Sequence, residues 1–250
     1  MNTIKLNAEK KPLMVAHRGV SGLETENTAA AFVAAGNRSY YGIETDVHKT
    51  ADGQFIIIHD DTTGRVAGGD DMTVEATSFE TLRRLTLINT VSGKKDRADL
   101  ICPSLAEYIA ICKKYEKYAV LELKNAFEKD DIGKIVEIIR EAEYLDHVIF
   151  ISFCYDNLVF LREFYPSAAA QYLIGGKEVP FDLIDRLTEH HFDLDISHRL
   201  ITADLVAECH ENGIEVNTWT VNTKEDAARV IAAGVDYITT NILEGTVKAE

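Results

Sequence analysis

Cysteine is scarce: the 250 residues contain four (Cys102, Cys112, Cys154 and Cys209), with no CxxC pair and no cluster with histidine. Neither a disulfide framework nor a thiolate-rich metal site is indicated, and free thiols in a reducing compartment are the simpler expectation. Long apolar runs are missing too. No stretch of about 18 apolar residues occurs anywhere in the chain, and Met1 to Lys11 lacks the apolar segment of a secretory leader. The chain therefore reads as soluble and cytoplasmic, without stable membrane association, although a chain trimmed of its leader would read the same. Positive charge is in deficit, with 26 Lys and Arg against 41 Asp and Glu and a net charge of -15. Such a surface repels phosphate backbones and anionic membranes at long range, which argues against nucleic acid as a partner. An acidic protein can still handle a phosphodiester if its pocket places cations locally, and a bound divalent metal would meet that need. Internal repeats and low-complexity tracts are also absent, and tryptophan occurs once, at Trp219.

What is present is an alternation of short β-branched runs with amphipathic segments, the pattern of successive βα units around a parallel sheet. The spacing predicts strands at Leu13 to Ala16, Gly42 to Val47, Ala119 to Leu123, Val148 to Phe153, Ala169 to Ile174, Phe192 to Ile196, Ile214 to Thr220 and Tyr237 to Thr240. Helices are expected from near Asn27, Ser104, Lys129, Asp156, Phe181, Thr202 and Thr223, with Ser104, Asp156, Thr202 and Thr223 as N-caps. Eight strands with intervening helices imply one α/β domain over residues 1–250, a TIM (β/α)8 barrel. One segment breaks the rhythm. Gln54 to His59 reads as an extra strand after the Asp52-Gly53 turn, and about 60–102 reads as an insertion over the barrel mouth. Its blandest form is a surface loop with one short helix, Phe79 to Leu85.

In such a barrel chemistry gathers at the C-terminal ends of the strands. Glu44 and Asp46 are two apart on the second strand, so both carboxylates point to one face. Glu122 and Lys124 repeat that spacing on the third, which should lie beside it. Three converging carboxylates would suit one hard divalent cation, Mg2+ or Ca2+, because oxygen-only donors disfavour zinc. Ordinary exposed strand positions are the competing explanation for Glu44 and Asp46. His17 and His59 each terminate an apolar run, and cleaving a phosphodiester needs one group to activate a nucleophile and another to protonate the leaving alkoxide. The other histidines read as structural, with His48 placed beyond the site despite sharing the parity of Glu44 and Asp46. Arg18 and Lys124 can supply positive charge to a phosphate, or be taken up in buried ion pairs. Trp219 and Phe153 sit near strand ends where each could wall a pocket. For Phe153 a core position is the simpler expectation.

Taken in order, His17-Arg18-Gly19, Glu26-Asn27-Thr28, Gly42-Ile43-Glu44-Thr45-Asp46-Val47, Thr50-Ala51-Asp52-Gly53 and His59-Asp60 resemble the glycerophosphodiester phosphodiesterases. Leu121-Glu122-Leu123-Lys124, Ile151-Ser152-Phe153, Val216 to Asn222 and Gly234 to Asn241 extend the resemblance over nearly the whole chain. It implies a TIM barrel, a divalent metal on Glu44, Asp46 and Glu122, and acid/base work by His17 and His59. The implied reaction releases an alcohol and glycerol 3-phosphate from a small-molecule glycerophosphodiester in lipid and glycerol metabolism. Val20 to Thr25 lacks the Pro that often precedes the Glu-Asn-Thr motif. Two other functions stay open on the same residues: a lysophospholipase D-like or phosphoinositide-type phosphodiesterase, and a noncatalytic phosphodiester-binding protein.

Overall fold

The computed structural model describes residues 2–6, 12–69 and 71–245. Among them, eight parallel strands form the barrel: β1 (Leu13–Ala16), β2 (Gly42–Lys49), β3 (Tyr118–Leu123), β4 (Val148–Ser152), β5 (Ala169–Ile174), β6 (Asp193–Ser197), β7 (Val216–Trp219) and β8 (Tyr237–Thr240). Each pairs with its neighbour in sequence, and pairing of β8 with β1 and of β1 with β2 closes the ring. A TIM barrel is thus what the alternating pattern produced. Strand ends depart from the sequence expectation by one or two residues, where ladder hydrogen bonds run out.

Helices cover the outer face, and local side-chain chemistry starts several of them. Thr28, Thr202 and Thr223 accept from the backbone N–H three residues on, and Ser104 forms a reciprocal capping box with Glu107. Asp156 does not cap. Cys154 precedes the helix Tyr155–Phe164, which places Asp156 in its first turn, where its charge faces the helix dipole instead. Phe32, Tyr108, Ile135, Phe150, Leu158, Leu194 and Val230 belong to the main core between helices and sheet. Tyr108 is buried whole there because its hydroxyl donates to the Ile43 carbonyl at 2.7 Å. Tyr41, Tyr118 and Tyr237 pack together among the barrel's apolar interior, and the first two rings stack at 4.5 Å.

The extra strand is shorter than expected, Phe55–Ile57, and runs antiparallel to the far end of β2 with Val47 opposite Ile57. His59 lies two residues beyond it. Segment 60–102 is more than a surface loop with one helix. It holds the helices Gly64–Ala67 and Phe79–Arg83 and a 3-10 turn at Val74–Ala76. Ile56, Ile58, Val66, Val74, Leu82, Leu87 and Leu100 bury against one another as a second apolar cluster. Gly and Thr punctuate this stretch closely, which hid its apolar positions from a periodicity reading. No helix among the described residues is long and apolar enough to cross a membrane.

Candidate active site

Interior side chains of an eight-stranded barrel stack in layers of about four, each layer drawn from alternate strands. Following the pairing around the ring with that stagger puts Glu44 (β2), Ile151 (β4), Asp195 (β6) and Thr239 (β8) in one layer. The next layer toward the C-terminal ends holds His17, Glu122, Leu173 and Trp219. All of these residues line one cavity of about 90 Å³, with Arg18, His59, Phe153 and Thr220 completing the wall. In the barrel interior, Asn217 donates to Gln171 at 3.0 Å and accepts from the Thr239 hydroxyl at 3.2 Å.

Glu44, Asp46 and Glu122 are buried, and one oxygen from each lies within 4.8 Å of the others. Cross-strand register explains the meeting, since Asp46 pairs directly with Glu122. Burial, then the charges of Asp46 and Glu122, push Glu44 well above the usual carboxylate range. Burial and Asp46 push Glu122 up to about 7. Burial alone would raise Asp46 as well, but Arg18 and Lys124 overcome it and hold the carboxylate at about 2. The cations stand close: Lys124 donates to Glu122 at 2.8 Å and lies 3.6 Å from Asp46, while Arg18 reaches Asp46 at 3.5 Å. Their charge does not satisfy the cluster, because Asp46 Oδ1 is buried with no hydrogen-bond partner. An all-oxygen donor set of three converging carboxylates with an orphaned ligand atom fits a hard divalent cation.

Loop geometry aims these groups. Arg18 and Gly19 both adopt left-handed backbone (φ 52 and 76), which brings the Arg18 N–H within 2.7 Å of Glu44. Gly19 is required there, since a Cβ would meet Ala31 at 2.6 Å. Asn27, also left-handed, donates to Asp46 at 2.8 Å and accepts from Thr45 at 2.7 Å. Asn tolerates that conformation better than most residues, so the Glu26-Asn27-Thr28 motif has a clamp, a backbone solution and a helix cap in three positions. Glu26 accepts from both Arg18 and Arg65.

The histidines are oriented in the same manner. His17 Nδ1 lies 2.7 Å from the Asn241 side-chain oxygen, which fixes the tautomer and leaves Nε2 on the side of Glu44, 3.9 Å away. Burial, then the Arg18 charge, lower its pKa to about 4, so the ring is neutral at neutral pH. His59 donates from Nδ1 to Asp60 at 2.6 Å, and Arg65 grips that carboxylate in turn. Burial lowers His59 as well, against the pull of Asp46. Each ring thus has one nitrogen tied and the other available for proton transfer.

One expectation changes and another gains its physical reason. Phe153 is not core: it is 45% exposed, lines the cavity and meets Trp219 edge-on at 5.7 Å. Its strand ends at Ser152, which releases the ring to the mouth. His48 is fully buried behind the site and contacts the His59 carbonyl at 3.2 Å, so it braces the loop that carries His59. The sequence reading also missed Asp195, 1% exposed on the cavity wall. Burial and Glu122 push its carboxyl well above the usual range. The parity that exposes Glu44 and Asp46 was equally present in Asp193-Leu194-Asp195-Ile196.

Residues 17–244 match the model of the glycerophosphoryl diester phosphodiesterase family. A glycerophosphodiester phosphodiesterase of Caldanaerobacter subterraneus subsp. tengcongensis is 31% identical over 234 residues, covering 92% of this chain and 94% of that protein. An Oleispira antarctica phosphodiesterase, solved in complex with its product sn-glycerol-3-phosphate, superposes with a TM-score of 0.82 at 28% identity. That match covers 92% of this chain and 93% of the other. The Thermotoga maritima glycerophosphodiester phosphodiesterase shares the fold at a TM-score of 0.75 and 22% identity, over 94% of this chain and 96% of its own. The chain belongs to the glycerophosphoryl diester phosphodiesterase family, and with it to the enzymes that hydrolyse phosphoric diesters.

Proposed function

We propose that this enzyme hydrolyses glycerophosphodiesters to an alcohol and glycerol 3-phosphate, with His17 and His59 as the proton-transfer pair. The observation that carries the proposal is one cavity wall holding two oriented imidazoles beside a buried three-carboxylate cluster. Simple binding of a diester needs no proton donor and acceptor, which disfavours the noncatalytic alternative. A divalent cation, Mg2+ or Ca2+, held by Glu44, Asp46 and Glu122 would supply positive charge to the phosphate oxygens. Arg18 and Lys124 add to that field from the chain itself, offsetting a net charge of -15 locally. Asn241 and Asp60 hold the two rings so that one free nitrogen, unprotonated, can take a proton from the nucleophile while the other, which must start protonated, gives one to the leaving alkoxide. Trp219 and Phe153 form an apolar wall for the carbon portion of the substrate.

That wall also favours a second substrate class. An exposed aromatic at the mouth could accept the acyl chain of a lysophospholipid, whose diester would meet the same cluster.

The test is release of glycerol 3-phosphate from glycerophosphocholine and glycerophosphoethanolamine with Mg2+, Ca2+ or EDTA, beside His17→Ala and His59→Ala proteins. Turnover that needs the cation and falls by a factor of about 100 or more in each variant is the expected result. Full activity in either variant removes that histidine from the mechanism. Cleavage of lysophosphatidylcholine alone shifts the assignment to the second class.

A further inference from the structure

The cavity has two unlike poles. On the side of β1, β2 and β3 the wall is made by His17, Arg18, Glu44 and Glu122, with Asp46 completing the carboxylate cluster and Lys124 beside it. β6 stands opposite β2 in the eight-stranded ring, so Asp195 faces Glu44 from across the barrel in the same layer of side chains. Between them the lining is apolar or weakly polar: Ile151, Leu173, Trp219 and Thr239. Asp195 is the one carboxyl on that far wall among the described lining residues, and it is 1% exposed. No basic side chain neutralises it, and its Oδ1 is buried with no hydrogen-bond partner. A buried polar group left unmatched is destabilising, and on a cavity wall it is open to a ligand that supplies the missing partner.

We propose that Asp195 positions the substrate by hydrogen-bonding the terminal hydroxyl of its glycerol unit, the hydroxyl farthest from phosphorus. This inference rests on the function proposed above. With the phosphate drawn to the cationic and carboxylate pole, the glycerol unit extends toward β6, and its terminal hydroxyl is the polar group that reaches furthest. A carboxylate accepts a hydrogen bond from a hydroxyl, and a carboxylic acid both accepts and donates, so the contact forms in either ionisation state. The substrate's head group is not assigned to this wall. It belongs to the variable alcohol on the other side of phosphorus, which must leave toward the mouth where Phe153 is exposed.

Calorimetric binding, in the presence of Mg2+, compares sn-glycerol 3-phosphate with 2-hydroxypropyl phosphate, which lacks only the terminal hydroxyl. The wild type should prefer the former by about 10- to 100-fold, the range one well-placed hydrogen bond supplies. Asp195→Asn, which keeps the acceptor and a donor, should retain the preference, and Asp195→Leu should bind both within threefold. Equal binding of the two phosphates by the wild type overturns the proposal without any variant. So does a preference that survives in Asp195→Leu, or one that Asp195→Asn loses as fully as Asp195→Leu. Because the readout is binding of the phosphate monoesters, it stands apart from the cleavage assay. A protein that discriminates between the ligands yet cleaves no glycerophosphodiester would fail the functional proposal and keep this one.

Discussion

Replacing Glu122 by glutamine should make the cation-free protein more stable while destroying its activity. The three carboxylates hold ligand oxygens within 4.8 Å of one another. At an effective dielectric near 20, two unit charges at that separation repel by about 3 kcal/mol. The raised pKa of Glu122, set by burial first and by the Asp46 charge second, gives a total penalty of similar size. The gap between about 7 and the usual 4.5, at roughly 1.36 kcal/mol per pH unit, is again about 3 kcal/mol. A carboxyl whose folded-state pKa lies above its unfolded one contributes stability that is fully present below the unfolded value. That stability is lost as pH rises through the folded value, here about 7. Glutamine does not titrate and so does not lose it. Against this, Lys124 exchanges a charge-assisted bond at 2.8 Å for a neutral one, a loss of about 1 kcal/mol.

The net gain is about 2 kcal/mol above pH 8, which for a chain of this size raises Tm by about 4–8 °C. The assay is thermal unfolding in EDTA at pH 5 and pH 8.5, repeated with Mg2+ or Ca2+. The variant should exceed the wild type at pH 8.5 only, and added cation should reverse the order. Cation at 100 times its Kd stabilises the wild type by about 2.7 kcal/mol, which the depleted site cannot match. A variant no more stable than the wild type in EDTA at pH 8.5 would refute the repulsion argument. A wild type indifferent to both cations would refute the metal site.

Glu244 should show the opposite pH sign. Its carboxylate accepts from Ser39 at 2.8 Å and from the Thr3 hydroxyl and pairs with Lys5 at 2.6 Å, tying the strand Ile4–Leu6 and the loop before β2 to the chain's last described strand. Burial would raise it, but these partners hold it at about 2, so its contribution is present above about 4.5 and lost as pH falls toward 2. Glu244→Gln should cost about 2 kcal/mol at pH 7 by urea unfolding, with the deficit narrowing below pH 4.5; a constant deficit would assign the effect to packing. Leu82→Ala, in the apolar cluster of segment 60–102, should cost about 3 kcal/mol in the same assay. No change would mean that this segment does not unfold with the barrel.

The barrel was legible because each strand carries its own apolar run and each helix its own start, so local pattern and global closure agree. The cluster was legible for a geometric reason: period-two parity fixes which residues share a face, and sequential strand order fixes which strands are neighbours. For Glu44, Asp46 and Glu122 that geometry predicted the meeting, and the motifs around them decided against ordinary exposed strand positions. What failed depended on a strand ending one residue early, and what went unread were contacts between remote segments. Phe153 looked like core because the apolar run of β4 continues into it, yet the ladder stops at Ser152 and the ring turns to the mouth. His48 shares parity with the carboxylates, but its ring is directed by the His59 carbonyl, a contact made only once the Phe55–Ile57 strand folds back on β2.

Asp195 was hidden differently. Parity and strand number were both available, but its meaning comes from the stagger that sets β6 level with β2 across the barrel, and stagger is a property of the closed ring rather than of any one strand. A carboxyl on an inward-facing strand position reads as an ordinary surface residue until the ring has closed and left its oxygen without a partner. The positions that a sequence reading loses are therefore those whose environment is built by closure, and the far wall of the cavity, where the substrate is distinguished from its relatives, is made of such positions.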